Sequence, residues 1–241
     1  TVGASKDFFK DKLKLKAEYS IADNKDDNLT ARIELRPFGS YSVYTGYSLV
    51  NDSEGKSDKV VFGQNYQVTK DFGIYSEHQL LKDPDARSTI EAYGISYKVK
   101  DNYTLGIAYQ QGVVNENAGE SYKRRAVSLS SSYDKSKFKL TNKFEYRIDN
   151  KSSLNEETYV TTNGFSVRLT DSLRGLANFD YSISRDRETD ETIERYSEAN
   201  VGFAFRPVTN NRLAILGRYR NIQQEDNTSR TNVTDQKKEI F

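Results

Sequence analysis

The sequence contains no cysteine, no methionine and no tryptophan, and only three of its 241 residues are proline. The lack of cysteine excludes a disulfide framework, a thiolate metal site and a cysteine nucleophile. The scarcity of proline suits a β-sheet, because a proline cannot donate a hydrogen bond to a neighbouring strand. Composition therefore permits an extended sheet with few interruptions.

The chain also lacks an excess of charge of either sign. It has 36 basic and 35 acidic residues, which leaves a net charge of +1 and gives no support to a nucleic-acid partner. Its mean hydropathy is −0.81, and no apolar run approaches the roughly 18 residues of a transmembrane helix. These values exclude a helical membrane protein. A membrane-spanning β-strand needs only one apolar face, so it remains compatible with them.

What the chain does contain is a persistent two-residue alternation of apolar and polar residues, which predicts strands with two different faces. The segment LKLKAEYSI (13–21) alternates leucine with lysine, and KFKLTNKFEYRI (137–148) and VGFAF (201–205) repeat the pattern. The seventeen tyrosines and twelve phenylalanines suit strands and membrane interfaces alike. The alternation predicts an all-β, antiparallel fold throughout.

The predicted connections alternate in length. Short turns are expected at 37–40, 69–71, 100–102, 134–137, 170–172 and 207–211. Longer charged loops are expected at 23–28, 51–58, 83–88, 115–121, 150–158, 187–194 and 225–235. Short turns at one rim and long loops at the other are typical of an up-and-down membrane barrel, with the short turns on the periplasmic side.

In this architecture the chain resembles a Gram-negative outer-membrane β-barrel, either porin-like or the barrel region of a larger outer-membrane surface protein. The segments FAFRP (203–207) and NNRLAILGRYR (210–220) are similar to hairpins of such barrels. We therefore expect a transmembrane β-barrel with about 13–14 strands, in a single domain over residues 1–241. Both chain ends read as half-strands, so we expect a longer native chain and a larger barrel. A complete 14-stranded barrel ending at Phe241 is the alternative.

If one face of each strand meets lipid, the opposite face lines a lumen. The basic pore-lining residues predicted in this way are Lys14, Lys16, Arg32, Arg36, Lys98, Lys139, Lys143, Arg147, Arg168, Arg174, Arg206, Arg218 and Arg220. The acidic residues predicted on the same face are Glu18, Glu34, Glu77, Glu145 and Asp180. Such a lumen would carry a net positive charge and favour anions. Equally, these charges could only solvate the wall or hold a plug.

Two further expectations concern the wall. A cross-strand ion pair of Lys16 with Glu34 would stabilise it modestly. Tyrosines near the strand ends would place their rings at the two membrane interfaces. The tyrosines in question are Tyr41, Tyr97, Tyr103, Tyr133, Tyr181 and Tyr219.

Sites for chemistry are scarce. His78 is the only histidine, and no serine stands in a G-x-S-x-G turn. The acidic segment 23–28 lacks the glycine and the final glutamate of a calcium-binding EF-hand loop. We therefore predict no catalytic, cofactor-binding or metal-binding residue and no enzymatic activity. A barrel hydrolase built on His78 is the least favoured hypothesis.

The leading functional hypothesis is a passive outer-membrane pore for small polar solutes, with anions favoured if the lumen charges set its selectivity. A membrane anchor or translocation barrel for surface segments is equally compatible with the pattern. The expected partners are outer-membrane lipid, lipopolysaccharide and other envelope or surface subunits. The alternative is a soluble adhesive β-protein, in which Phe203, Phe205, Ile107 and Leu140 would lie in a dry interior.

Overall fold

A computed structural model of the chain describes residues 2–9, 12–21, 27–52, 55–117, 119–152, 154–207, 214–227 and 233–240. Within these residues the secondary structure consists of β-strands and connecting turns. None of them belongs to a helix long and apolar enough to cross a membrane. The prediction of an all-β chain is confirmed.

The described part of the chain forms fifteen strands. The first eight are β1 (Val2–Phe8), β2 (Leu13–Ile21), β3 (Asp27–Phe38), β4 (Tyr41–Asp52), β5 (Gly55–Gln67), β6 (Phe72–Lys82), β7 (Ala86–Lys100) and β8 (Tyr103–Glu116). The others are β9 (Ser121–Lys135), β10 (Phe138–Asn150), β11 (Asn155–Arg168), β12 (Leu173–Asp186), β13 (Thr192–Phe205), β14 (Ile215–Asp226) and β15 (Val233–Ile240).

The order of the strands in the sheet is their order in the chain, so the topology is a meander. The predicted antiparallel up-and-down arrangement is confirmed. The count exceeds the expected 13–14 because both predicted half-strands pair as strands of their own. Val2–Phe8 pairs with β2, and Val233–Ile240 pairs with β14. Phe241, the proposed closing residue of a complete barrel, lies outside the described residues.

Contacts within the chain divide it into two compact units. Unit 1 comprises Thr1–Tyr97, Ala108–Arg125 and Asn150–Ser152, and unit 2 comprises Lys98–Ile107, Ala126–Asp149 and Ser153–Phe241. The division passes through β7, β8 and β9, which contribute to both units.

In unit 1 the strand register places like residues side by side. Leu15 lies opposite Ile33, and Ala17 lies opposite Ala31, whereas Lys14 faces Glu34. Because successive side chains of a strand point to opposite sides, this register produces one apolar face and one polar face. We use these two names for the two sides of the sheet.

Unit 2 has the same two faces. On its apolar face Ala177 lies opposite Val201, which in turn lies opposite Tyr219. On its polar face Asp180 lies opposite Glu198. The alternation in the sequence is therefore preserved across neighbouring strands and not only along each one.

Solvent exposure on the two faces is inverted relative to a soluble protein. Large apolar side chains on the apolar face are exposed, for example Ile107 at 49% and Phe203 at 48%. The most buried polar side chains, such as Glu145 at 6% and Asn200 at 6%, lie on the polar face. Leu140, expected to be dry in a soluble sandwich, is 37% exposed. No second layer covers the apolar rows in the described residues, which is the arrangement of a wall facing lipid.

The connections are shorter than predicted. The turns at 39–40, 101–102 and 136–137 agree with expectation. We call the strand ends that these turns connect the turn rim of each unit. At the opposite ends, which we call the loop rim, the connections 83–85, 117–120 and 187–191 are only three to five residues long. The marked difference in length was therefore predicted wrongly at these loops.

The reason is that strand pairing continues into the charged segments. In the predicted loop 51–58, for example, Asp52 already pairs with Gly55. Near the loop rim both faces of the strands are polar, so the alternation fades while the hydrogen-bonded ladder continues. Parts of the predicted connections 23–28, 207–211 and 225–235 lie outside the described residues, including most of the acidic segment considered for calcium.

Candidate pore-lining face

The structure places the predicted pore-lining residues on the polar face. Lys14, Lys16 and Arg32 lie there in unit 1, opposite Glu34, Arg32 and Gly46 of the neighbouring strands. In unit 2 Arg168 lies opposite Arg174. Residues Arg218 and Arg220 face Gly202 and Asn200. Arg206 directly follows β13 and continues the same side.

Most of these cations already have a carboxylate partner. The pairs are Lys14–Asp7 at 3.9 Å, Lys16–Glu18 at 3.2 Å, Arg32–Glu34 at 3.6 Å, Arg36–Glu34 at 2.7 Å, Lys98–Asp101 at 3.0 Å and Lys139–Asp134 at 3.5 Å. Exposed pairs of this kind contribute roughly 0–1 kcal/mol each. The expected pair of Lys16 with Glu34 is wrong, because Lys16 lies opposite Arg32 and turns to Glu18 on its own strand.

Glu145 is the centre of one ion-pair network in unit 2. Its side chain is buried and accepts from Lys143 Nζ at 2.7 Å and from Arg147 Nη2 at 2.8 Å. All three side chains alternate along β10, so they meet on the polar face. The Glu145 carboxylate therefore lies between two cations of its own strand.

Glu198 is the centre of a second network. Both its oxygens accept from Arg220, at 2.8 and 3.0 Å, and it also accepts from the Tyr196 hydroxyl at 2.5 Å and from the Asn200 amide. The forked pairing with arginine fixes the orientation of both groups. Glu198 is not among the acidic residues predicted from the sequence. The alternation along β13 places it on the polar face, because it stands two residues before Asn200.

In unit 1 the polar face carries a cluster of stacked and hydrogen-bonded side chains. The Arg32 guanidinium lies 3.8 Å from the centroid of the Tyr44 ring, and the Tyr44 hydroxyl donates to Glu77. Gln79 donates to the other oxygen of Glu77 at 2.7 Å. The Tyr44 ring lies so close to Gly63 that a side chain there would collide with it. This cluster holds Glu77 with donors from two strands.

Three arginines at the turn rim of unit 2 have no carboxylate partner in the described part of the chain. We call Arg168, Arg174 and Arg206 the arginine cluster. All three side chains are exposed, and Arg168 lies directly opposite Arg174. Like charges directly opposite each other destabilise a sheet unless an anion or solvent compensates them. The positive charge of the polar face is therefore concentrated at this rim.

The apolar face carries aromatic rings at two levels in unit 2. Near the turn rim Tyr133 stacks on Phe138 at 5.0 Å between ring centroids. The Tyr103 ring lies 6.4 Å from that of Tyr133, and the Phe165 ring lies 6.4 Å from that of Phe138. Near the loop rim Tyr146 and Tyr159 lie 5.0 Å apart.

The two aromatic levels are separated by about the length of strand that crosses a membrane. From Phe138 to Tyr146 is about nine residues, close to the roughly 9–11 residues that a tilted strand needs to cross a bilayer. The predicted interfacial tyrosines Tyr103 and Tyr133 fit this arrangement. Tyr181 and Tyr219 lie five and four residues from the nearer ends of β12 and β14, nearly as close to a strand end as Tyr146 on β10.

His78 lies on the apolar face of unit 1, opposite Glu91. A shallow groove of about 290 Å³ is lined by Ser76, His78, Glu91 and neighbouring side chains. The Ser76 hydroxyl accepts from Gln64 at 3.0 Å, and no hydrogen bond joins it to His78 within the described residues. The residue types of a nucleophilic site are thus present without the contact that would activate the serine. In the described chain no group of three or more His, Asp or Glu residues is arranged to hold a metal ion.

The fold is similar to solved outer-membrane proteins. Outer-membrane expressed OmpT of Vibrio cholerae superimposes with a TM-score of 0.59 at 8% identity, over 96% of this chain and 97% of that chain. The outer-membrane channel DcaP of Acinetobacter baumannii gives 0.57 at 12% identity, over 92% and 86%. A bacterial polysaccharide outer-membrane secretin gives 0.55 at 11% identity, over 95% and 84%.

By sequence, no protein-family model matches the chain and no curated protein matches it. At such low identity the likeness to solved structures concerns the fold alone. The chain has the antiparallel up-and-down β-barrel fold of bacterial outer-membrane proteins. The predicted resemblance to a Gram-negative outer-membrane barrel is confirmed.

Proposed function

We propose that this chain forms the wall of a passive pore in the bacterial outer membrane, which admits small polar solutes and favours anions. The observation that carries the proposal is the polar face, where charged side chains are fixed by ion pairs and hydrogen bonds while apolar rows cover the opposite side. A channel is among the solved structures with this fold. Lining charges of this kind set the electrostatic barrier for a passing ion.

The preference for anions rests on the unpaired charges. Because most lysines and arginines of the polar face are neutralised by carboxylates, the arginine cluster contributes the largest uncompensated charge in unit 2. Arg218 adds to it, since it bonds the neutral Asn200 side chain at 2.9 and 3.2 Å. The pore would therefore select at its turn rim rather than along its whole length.

The pore is tested by conductance. The full chain, inserted in planar bilayers, is expected to give stepwise currents, and a salt gradient is expected to give a reversal potential of the sign for anion preference. Cation preference would overturn the role of the arginines. Absence of current from protein that is folded in detergent would overturn the pore and favour an anchor or a plugged barrel.

The proposed role is passive and involves no chemical step. His78 and Ser76 share a face but not a hydrogen bond, and Ser76 is held by Gln64. Esterase or phospholipase activity that is present in the wild type and abolished in both His78→Ala and Ser76→Ala would overturn this part of the proposal.

A further inference from the structure

Two basic side chains project from the apolar face of unit 1 near its loop rim. Lys123 and Arg125 alternate with the buried Tyr122 and Ala126 along β9, so they point to the same side as the exposed Val127. A charge on this side faces either the acyl chains of the lipid or its headgroups. Where these residues lie along the membrane normal therefore decides their role.

Tyrosines close to these two cations mark the level of the membrane interface. Tyr93 is the last ring of the apolar row on β7, and its hydroxyl donates to Glu91 at 3.2 Å. Tyr109 on β8 donates to Gln111 at 3.4 Å, and Gln111 donates to Glu91 at 3.1 Å. Aromatic rings with polar ends are enriched where hydrocarbon meets the headgroups.

The length of the apolar row on β7 independently places the membrane interface at the same level. On β7 the row begins at Val99 near the turn rim and ends where Glu91 replaces an apolar residue. This stretch is about nine residues, close to the roughly 9–11 that cross the hydrocarbon. The polar residues beyond it consequently lie at headgroup depth on the loop-rim side.

At this depth Lys123 and Arg125 line a groove of about 360 Å³ together with Thr89, Glu91 and Gln111. Neither cation forms an ion pair with any described residue. The contrast with unit 2 is informative: there the outward Arg195 is neutralised by Glu225 at 3.4 Å, and Arg185 by Asp190 at 3.2 Å.

Glu91 contributes one negative charge to the groove, where it accepts from two neutral donors at Oε2, so a single carboxylate faces two cations. Lys82 and Arg87, directly opposite each other on β6 and β7, add two more cations on the same face nearer the loop rim. Their only described carboxylate neighbour in the register is Asp58, opposite Lys82, which accepts from Tyr47 at 2.6 Å. The outward surface of this part of unit 1 is therefore basic.

We propose that this groove binds the phosphate groups of an outer-leaflet lipid. Arginine and lysine next to a membrane surface bind anionic headgroups, and arginine can present two N–H groups to one phosphate. The Thr89 hydroxyl and the Gln111 amide supply neutral partners in the same groove. The inference rests on the proposed position in the outer membrane, but not on conduction.

The experiment is a titration of the full chain in a neutral detergent with lipid A, a phosphorylated outer-leaflet lipid, read by native mass spectrometry. The wild type is expected to retain the lipid. Arg125→Gln should weaken binding roughly fivefold, and the double variant Lys123→Gln/Arg125→Gln roughly twenty-fivefold, because each surface cation contributes about a factor of five. Arg195→Gln is the matched control, since Arg195 also lies on the apolar face but is paired with Glu225 and lies outside the groove.

The outcomes are distinct. Unchanged lipid binding in the double variant, or an equal loss in Arg195→Gln, would overturn the proposal. Inorganic phosphate that competes as effectively as lipid A at equal concentration would assign the groove to free anions and would also overturn it. Because the groove is on the apolar face, the double variant should conduct as the wild type does, so the test is separable from that of the pore.

Discussion

Arg168 on β11 and Arg174 on β12 lie directly opposite each other, exposed on the polar face and without a carboxylate partner among the described residues. Several other cations of the polar face, such as Lys143, Arg147 and Arg220, are paired with carboxylates, so this juxtaposition stands out in unit 2. A sheet tolerates such a juxtaposition where water or an anion reaches both guanidinium groups. It is the strongest local indication that this rim contacts a solution containing anions.

Neutralising this pair should reduce anion preference. In Arg168→Gln/Arg174→Gln the chloride-over-potassium permeability ratio is expected to fall about fivefold, the factor equivalent to ~1 kcal/mol of lost attraction near an exposed charge. Reversal potentials in a salt gradient measure it. Arg195→Gln, which removes an arginine from the apolar face, is the control and should leave the ratio unchanged. An equal effect in both would contradict a local role for the cluster.

Removing Glu198 should act in the opposite direction. Glu198→Gln deletes the carboxylate that both neutralises and orients Arg220, so the freed guanidinium is expected to raise the permeability ratio for anions. The forked contact would also be lost, and the variant should unfold at a lower temperature in a gel-shift assay of heat-modified mobility. Glu225→Gln on the apolar face should not change selectivity. A shift toward cations would show that Arg220 does not face the ion path.

The sequence predicted the faces better than the connections or the charge pairs. Alternation assigns a side to every residue of a regular strand, which is why Arg168, Arg174 and Arg218 were placed correctly on the polar face. It contains no information on register. The partner of Lys16 was therefore wrong, since choosing Glu34 over Glu18 depends on which residues lie opposite each other.

The loops were predicted too long for a related reason. Beyond the apolar rows both faces meet water, and a strand with two polar faces looks like a loop in sequence. Asp52 and Gly55 are paired although both stand in a segment rich in charged and polar residues. The sequence also contained the signal for the outward groove, in the basic cluster KRR at 123–125, but only the tertiary fold brings it beside Glu91 and Gln111.

The two faces can be distinguished by how much an introduced charge lowers the free energy of unfolding. Val201 is 56% exposed on the apolar face, and Leu176 is 42% exposed on the polar face of the same unit. In lipid, Val201→Lys should destabilise the barrel by about 2–4 kcal/mol, whereas Leu176→Lys should cost little. Urea unfolding in lipid vesicles measures both. Equal tolerance of the two lysines would indicate that both faces meet water, and would contradict the membrane assignment.

Close strand contact should make one glycine irreplaceable. A methyl group at Gly112 would lie 2.2 Å from the Thr89 carbonyl oxygen and 3.0 Å from the Ile90 Cα, so the backbone of β7 would have to move. Gly112→Ala is expected to destabilise the chain by about 1–3 kcal/mol, as overpacking does elsewhere. Gly39 has nothing within 4 Å of the same position, so Gly39→Ala should unfold as the wild type does. Urea unfolding of both variants in the same vesicles tests the contact, and a Gly112→Ala variant as stable as Gly39→Ala would show that β7 and β8 are not this close at that position.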